Sequence, residues 1–315
     1  MLDTFNIFNR GNFLDYKGDA RQQIQFCEST GEITNWTGQL RNIVFKSNSF
    51  GLSVSGSMPM YLYGTNFREI TDCTEIKTGL DEISNYLNLS VLDWTLTRFD
   101  FPINIELSHL VKDYLHLYAD HPTMQPATDF RRHGSQIRYV DSSGWLSIYD
   151  KIAQCQVKSI PLPSEYEHAN IGRAERAFSR KYLQADQRAT ASGLLDPAFF
   201  SNAATRFAHD FFGIRRIKSL SPQTERLPSN TRELNSLLMT AGVELLDYAN
   251  VQSLIETSKG LGFATSNAAY RMKKQLRTVA DEPGFHFGNE LTEEFDTKMR
   301  ERFRQWGVDE KILSI

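Results

Sequence analysis

The sequence predicts an α+β protein in which an antiparallel-sheet domain with flanking helices is followed by a mainly helical C-terminal domain. Segments of the first half alternate apolar and polar residues with the period of two that is typical of strands. From about residue 198 apolar residues recur at helical spacing instead. We therefore expect a first domain over residues 1–195 and a second domain over residues 196–315.

The elements of the first domain follow from alternation and from turn-forming residues such as Asp141-Ser142-Ser143-Gly144. The predicted strands are Gln39–Lys46, Gly51–Ser57 with a continuation through Met60–Tyr63, Val91–Ile105, Ser135–Tyr139, Gly144–Lys151 and Ile171–Ser179. The predicted helices are Gly79–Leu89, His109–Tyr118 and a stretch that begins near Arg180.

The second domain is predicted to be helical and mildly basic. Its predicted helices are Ala203–Phe212, Thr231–Leu238, Val251–Ser258, Ser266–Val279 and Thr292–Trp306. Residues 206–277 contain 11 Lys and Arg residues against 6 Asp and Glu residues, although the whole chain has a formal net charge of −3. A basic helical part beside an acidic part suits DNA handling, and it equally suits a solvated helical surface.

Composition excludes several classes of protein. The three cysteines are widely spaced and form no CxxC pair, so a cysteine-based zinc site is not indicated and a reducing cytoplasm is expected. The seven histidines form no His-x-His pair, and no phosphate-binding GxxxxGK[ST] loop is present. No apolar run is long enough to predict a signal peptide or a membrane span, so no membrane partner is expected.

Two predicted strands each contain an arginine and a carboxylate two residues apart. Arg98 precedes Asp100 and Arg173 precedes Glu175. Since alternate residues of a strand share a face, each pair is expected to share a face. If these strands are neighbours, Asp100 and Glu175 bring together hard oxygen ligands that suit Mg²⁺ or Mn²⁺. Arg98 and Arg173 would then brace the carboxylates or bind DNA phosphate.

Tyr149 is the candidate nucleophile in this set. Tyr149 and Lys151 share a face of the same predicted strand. A neutral phenol with a pKa of about 10 attacks phosphorus poorly, and a metal ion or Lys151 could stabilise its phenolate form. Attack on a DNA phosphodiester would leave a phosphotyrosine and a free 3′-hydroxyl. Each motif taken singly is more commonly structural, so the hypothesis depends on their joint occurrence.

The order of these motifs resembles that in the replication initiators of filamentous phages, the gene II protein family. The resemblance runs from about residue 40 to the end of the chain and is strongest over residues 92–183. Four elements are similar: Gly56-Ser57 with Tyr63-Gly64-Thr65-Asn66, Thr95-Leu96-Thr97-Arg98-Phe99-Asp100, Ile148-Tyr149-Asp150-Lys151, and Gly172-Arg173-Ala174-Glu175-Arg176-Ala177 with Lys181-Tyr182-Leu183.

The resemblance implies a rolling-circle replication initiator of a phage or plasmid, acting in the cytoplasm of a bacterial host. Such an enzyme would nick origin DNA at a specific site through a phosphotyrosine intermediate and with a divalent metal ion. The 3′-hydroxyl would prime synthesis. Its implied partners are single-stranded and double-stranded origin DNA and the host helicase and polymerase.

The resemblance leaves the identity of the nucleophile open. The staphylococcal rolling-circle plasmid initiators look similar too, and their nucleophile matches Tyr139 rather than Tyr149. We favour Tyr149 because the phage resemblance covers more of the chain. The phage family commonly has a glutamate shortly after its Tyr-x-Lys element, whereas this chain has Ile152-Ala153-Gln154-Cys155-Gln156 there. If that glutamate is a metal ligand in the family, metal affinity should be lower in this chain.

A basic segment near the C-terminus resembles a helix-turn-helix recognition helix that could read double-stranded origin DNA. It spans Thr265–Arg277, with Ser266 as a candidate helix cap. The candidate DNA-binding residues are Arg271, Lys273, Lys274 and Arg277. An ordinary basic surface helix is the structural alternative.

Two other functions remain open from the sequence. The first is a DNA-binding replication regulator of the same ancestry that does not cleave, which the missing acidic residue after Lys151 favours. The second is a globular protein unrelated to nucleic acid, which would neither bind heparin nor shift single-stranded DNA at low salt.

Overall fold

The chain forms two compact units in a computed structural model that describes residues 2–16, 18, 20, 22–127, 136–185, 189–216, 219–220, 230–246, 248–262, 264–281, 287–288 and 290–314. Unit 1 comprises Met1–Arg215 and Glu294–Ile315, and unit 2 comprises Arg216–Glu293. The division therefore falls after Arg215 rather than near residue 195, and the C-terminal segment belongs to the first unit.

Unit 1 contains a large antiparallel sheet, as the sequence predicts. Its spatial strand order in the described residues is β2-β3-β4-β5-β1-β6-β10-β9-β8-β7. The strands are β1 (Thr4–Arg10), β2 (Gln23–Phe26), β3 (Ile33–Leu40), β4 (Ile43–Asn48), β5 (Gly51–Ser57), β6 (Thr95–Glu106), β7 (Gln125–Pro126), β8 (Gln136–Asp141), β9 (Gly144–Asp150) and β10 (Ile171–Ser179).

The helices in the described residues complete the mixed α and β architecture. They are α1 (Met58–Tyr63), α2 (Cys73–Leu87), α3 (Val111–Leu115), α4 (Lys151–Val157), α5 (Arg180–Leu183), α6 (Pro197–Phe212), α7 (Thr231–Leu246), α8 (Tyr248–Gly260), α9 (Ser266–Asp281), α10 (Glu290–Gln305) and α11 (Glu310–Leu313). Short 3-10 helices span Ser164–Tyr166 and Ala191–Leu195.

The predicted strands at Gln39–Lys46 and Met60–Tyr63 differ most from the structure, and β6 begins at Thr95 rather than at Val91. The segment Gln39–Lys46 is divided between β3 and β4, because Arg41 takes a positive φ of 53° and starts a turn. The predicted continuation Met60–Tyr63 is helical. Ser57 caps α1 by accepting the Met60 N–H, and proline near the start of a helix gives up no hydrogen bond that the helix needs.

Strand β1 was not predicted, although it lies near the middle of the sheet between β5 and β6. Its buried residues include Phe5 and Ile7, which alternate with half-buried Thr4 and Asn6. Backbone pairing on both sides makes this N-terminal strand the link between the two halves of the sheet.

The two faces of the central sheet differ sharply in chemistry. One face contains Phe99 and Phe101, which pack against Phe200 and Phe207 of α6. Phe303 of α10 packs in turn against Phe207 at 5.2 Å between ring centroids. This apolar face is the core of unit 1. The opposite face of β6, β10, β9 and β8 is polar, and the candidate site lies there.

A buried ion pair crosses the apolar face. Arg176 of β10 and Asp210 of α6 are both fully buried, and the Arg176 Nε donates to Asp210 Oδ2 at 2.8 Å. The guanidinium also donates to Ser143 Oγ at 2.7 Å, in the turn between β8 and β9. Burying a charge is costly unless it is paired and hydrogen-bonded, so this network anchors α6 to the sheet.

Unit 2 is mainly helical, as the sequence predicts. Helices α7, α8 and α9 contact one another around Ile255, Ala269 and Leu276. A short antiparallel pair joins β11 (Ser219–Leu220) to β12 (Phe287–Gly288). Within the described ranges of both units, no helix combines the length and the apolar character that crossing a membrane requires.

Candidate active site

A cleft of about 560 Å³ opens on the polar face of the sheet. It lies over four adjacent strands, β6, β10, β9 and β8. The side chains that give it its chemistry are Asp3, Asn66, Arg98, Asp100, Arg138, Trp145, Tyr149, Gln154 and Glu175. Most of these residues are charged or can form hydrogen bonds, which suits a polar ligand.

The register of the strands explains why three of the predicted residues meet here. Tyr149 of β9 lies directly opposite Arg173 of β10, and Ser147 lies opposite Glu175. On the other side of β10, Ala177 pairs with Asp100 of β6. Directly opposed residues on antiparallel strands project to the same face. Asp100, Tyr149 and Glu175 therefore line one cleft.

The hydroxyl of Tyr149 is bound within this cleft. Its Oη donates to Glu175 Oε2 at 3.1 Å, and the Tyr149 residue is 5% exposed. Burial raises the pKa of Tyr149 well above its ordinary value, and the negative charge of Glu175 adds to this although Arg173 opposes it. The phenol is therefore neutral in the free protein, and its hydrogen-bond acceptor is a carboxylate.

Asp100 is a buried carboxylate with a bidentate arginine partner. Arg98 donates from Nε to Oδ1 at 2.8 Å and from Nη2 to Oδ2 at 2.5 Å. Burial and then the negative charge of Glu175 raise the pKa of Asp100 to about 7, against the lowering effect of Arg98. The negative charge of Glu175 thus makes ionisation of Asp100 less favourable.

Arg173 braces the carboxylates instead of facing a ligand. It is 1% exposed and forms ion pairs with Asp3 and, at 3.4 Å from Nε to Oε2, with Glu175. Its Nη1 donates to the carbonyl of Asn66 at 3.1 Å. The prediction that Arg173 binds DNA is corrected by this burial, because its guanidinium is enclosed by protein partners.

Asp3 is a cleft residue that the sequence did not reveal. Its N–H donates to the carbonyl of Asp100 at 2.9 Å, immediately before β1. Ser57 Oγ donates to the Asp3 carboxylate at 2.5 Å. Only the pairing of β1 with β5 and β6 brings this N-terminal residue to the site.

Lys151 lies behind the wall of the cleft. It is the first residue of α4 and not the end of a strand, because Asp150 caps the helix by accepting the Ala153 N–H at 2.9 Å. Lys151 Nζ donates to Asn66 Oδ1 at 2.9 Å and to Gln154 Oε1 at 3.3 Å. Burial, with the nearby charge of Arg173, lowers the pKa of Lys151 to about 8.

Tyr139 lies on the opposite face of the sheet. It pairs with Leu146 in β9, and its Oη donates to the carbonyl of Ala119 at 2.9 Å. Because side chains alternate faces along a strand, the register that sends Tyr149 into the cleft sends Tyr139 into the core. The structure therefore does not bring the second candidate nucleophile to the site.

Arg138 is a cleft residue that the sequence did not reveal, and it packs over Trp145. The guanidinium carbons of Arg98 and Arg138 lie 4.4 and 5.4 Å from the centroid of the Trp145 ring. Arg138 Nε also donates to Ser147 Oγ at 2.8 Å. Gln136 and Arg138 alternate with the buried residues of β8, and this alternation is the sequence signal that could have indicated Arg138.

No protein-family model matches the chain, and no curated protein is detectably similar to it. The resemblance to phage initiators therefore rests on the motifs themselves. All four motifs contribute to the cleft: Ser57 and Asn66 come from the first, Asp100 from the second, Tyr149 from the third and Glu175 from the fourth.

The oxygen donors of the cleft fit a hard divalent cation. Asp100 and Glu175 contribute carboxylates to the lining, whereas the amide oxygens of Asn66 and Gln154 already accept hydrogen bonds from Lys151 Nζ. In the part of the chain that the structure describes, no group of three or more His, Cys, Asp or Glu residues could by itself hold a metal ion. A cation here would therefore complete its shell with water or substrate, as Mg²⁺ commonly does.

Helix α9 of unit 2 contains the second predicted site. Arg271, Lys274 and Arg277 are exposed and are spaced by three residues, which keeps them within one stripe of the helix. Lys273 is less exposed than these three residues, and its ammonium pairs with Glu256 of α8. The basic stripe thus comprises three of the four predicted residues, and Lys273 contributes to the packing of the unit.

Proposed function

We propose that this protein is a rolling-circle replication initiator that nicks DNA through a covalent bond to Tyr149. The observation that supports it best is that Tyr149 lines the same cleft as Asp100, Glu175 and Arg98. A nucleophile beside carboxylates and a guanidinium is the set that phosphodiester transfer requires.

The proposed reaction is a balanced transesterification. Tyr149 Oη attacks the phosphorus, the bond from phosphorus to the 3′-oxygen breaks, and a phosphotyrosine and a 3′-hydroxyl result. The phenol loses one proton and the 3′-oxygen gains one, so the reaction releases no net proton. Arg98 offers a guanidinium to the phosphate, and Arg173 holds Glu175 in place against Tyr149. A second transfer of the same kind would close the displaced strand.

Asp100 and Glu175 would hold Mg²⁺ or Mn²⁺ in this proposal. Such an ion supplies positive charge that polarises a phosphoryl oxygen. A cation would also offset the negative charge of Glu175, which together with burial raises the pKa of Asp100.

Unit 2 would bind the double-stranded origin through the basic stripe of α9, while the cleft of unit 1 takes a single strand. Phosphate contacts by exposed Arg and Lys side chains supply most of such affinity. The host helicase and polymerase would then extend the 3′-hydroxyl inside a bacterial cell, as the phage resemblance implies.

The experiment is denaturing gel electrophoresis after incubation with labelled single-stranded origin DNA and Mn²⁺. Tyr149→Phe should abolish a slowly migrating covalent adduct that the unsubstituted protein forms. Tyr139→Phe is the matched control, because it removes a buried phenolic hydroxyl from the neighbouring strand on the other face of the sheet. Loss of the adduct in Tyr139→Phe alone would overturn the choice of nucleophile.

A DNA-binding regulator that does not cleave is the second candidate. It is favoured by the enclosure of the Tyr149 hydroxyl and by the arginine partners that already neutralise Asp100 and Asp3. Binding of origin DNA without any adduct, in the presence of Mn²⁺, would support this function over nicking.

A further inference from the structure

Strand β8 carries an additional positively charged side chain, Arg138, close to Tyr149 on the same face of the sheet. Gln136 lies opposite Tyr149, and Arg138 lies opposite Ser147. Two residues along a strand correspond to about 7 Å. Arg138 therefore lines the cleft beside the residue proposed to attack DNA.

Arg138 and Arg98 are held in fixed positions by the same aromatic ring. Both guanidinium groups pack over Trp145, at 4.4 Å for Arg98 and 5.4 Å for Arg138. Arg98 is further fixed by Asp100, and Arg138 by Ser147. Planar guanidinium groups that are pre-organised in this way suit bidentate binding of phosphate.

We propose that Arg138 and Arg98, with Trp145 between their strands, form a phosphate subsite for the nucleotide next to the scissile bond. This inference rests on the proposed function. The ligand class is the backbone of single-stranded DNA, because Tyr149 is 5% exposed and a paired nucleotide must leave its stack to reach such a position. The subsite would hold the strand in register while Tyr149 attacks.

The test measures binding without cleavage, in a Tyr149→Phe background. Fluorescence anisotropy of a labelled single-stranded oligonucleotide over a series of KCl concentrations gives the slope of log affinity against log salt. Arg138→Gln should lower this slope by about 0.7, the value for one phosphate contact with a single strand. Arg138→Lys should retain the slope, because it retains the charge.

Arg304→Gln is the matched control. Arg304 is exposed on α10 and pairs with Glu310, outside the cleft lining. Equal slopes for Arg138→Gln and Arg304→Gln would overturn the subsite. An equal loss with the annealed duplex would overturn its assignment to a single strand.

Fluorescence of the otherwise unsubstituted chain provides a second readout that does not depend on how Arg138→Gln folds. Trp145 is half-buried in the cleft, so its emission should change when the oligonucleotide binds. Trp145→Phe should abolish that change, and its persistence would overturn the subsite. Failure of the nicking proposal is separate, since it appears as an absent adduct on the gel with wild-type Tyr149.

Discussion

Single residues in the cleft are held by pairs of opposite charge, of which Arg173 and Asp3 join distant parts of the chain. Arg98 holds Asp100, and Arg173 holds both Asp3 and Glu175. In a buried environment such pairs are costly to break, because the remaining partner is left with an uncompensated charge. The carboxylates around Tyr149 are therefore paired before any ligand binds.

Lys151 should make the stability of unit 1 depend on pH. Its pKa is lowered from 10.5 to about 8 in the folded chain, so between these values the unfolded chain binds more protons. The free energy of unfolding should therefore rise from about pH 8 to about pH 10, by roughly 3 kcal/mol at most. Urea unfolding of Lys151→Met should lack this rise.

Lys158→Met is the control for the Lys151 prediction. Lys158 is exposed at the end of α4, so its replacement removes the same charge without removing a buried ammonium. If Lys151→Met and the unsubstituted chain gain stability equally over this range, the buried ammonium of Lys151 is not the cause.

Gln154→Glu should tighten the binding of Mn²⁺. Gln154 lines the cleft, where a glutamate would add a carboxylate to Asp100 and Glu175 while still pairing with the Lys151 ammonium that the Gln154 amide oxygen now binds. A gain of roughly tenfold in affinity corresponds to about 1.4 kcal/mol. Titration calorimetry measures it, with Gln156→Glu as an exposed control on the same helix. Equal gains in both variants would show a general effect of charge and would contradict a metal site at Gln154.

At the scale of elements, the strands that face the cleft follow the predicted motifs, and strand β10 begins and ends where the sequence predicts. The helix α1 does not, because Ser57 and Pro59 favour a helix start where alternation suggests a strand. Local capping chemistry outweighed the period of two at that position.

Helix α9 should contact duplex DNA through its exposed stripe. Arg271→Gln or Lys274→Gln should each lower the salt slope of duplex binding by about 0.9, as expected for one lost phosphate contact. Lys273→Gln is the matched control on the same helix, because Lys273 is only half-exposed and lies beside the stripe, against Glu256. A slope that falls as much in Lys273→Gln as in the other two would contradict the stripe.

At the scale of the whole molecule, unit 1 is discontinuous in sequence. The apolar face of its sheet is covered by α6 and by the part of α10 that belongs to unit 1. A boundary at residue 195 would separate β6 and β10 from Phe200 and Phe207. The change from strand to helix periodicity marks a change of element type, and it does not mark the edge of a core.

Phe303→Ala should therefore destabilise unit 1 although residue 303 lies far along the chain. The Phe303 ring is fully buried against Phe207 and Phe211. Loss of a buried phenylalanine costs about 3–5 kcal/mol in the free energy of unfolding, which urea titration measures. Phe50→Ala, at a residue 71% exposed, should change it by less than about 0.5 kcal/mol. Equal effects would contradict the placement of α10 in this core.

The sequence by itself determined which residues share a face of a strand. Arg98 with Asp100, and Arg173 with Glu175, follow from the period of two, which is a local property of an extended backbone. The alternation of β6, β9 and β10 was likewise visible without any knowledge of their neighbours.

Only the tertiary structure decided which strands are adjacent, in what register, and which side chains are enclosed. It brought Asp3 to the cleft through β1, turned Tyr139 away from Tyr149, and buried Arg173 among its partners. These outcomes depend on how residues that are far apart in the chain pack together. The register of each strand is the one that buries their apolar side chains. Local periodicity contains no information about that balance.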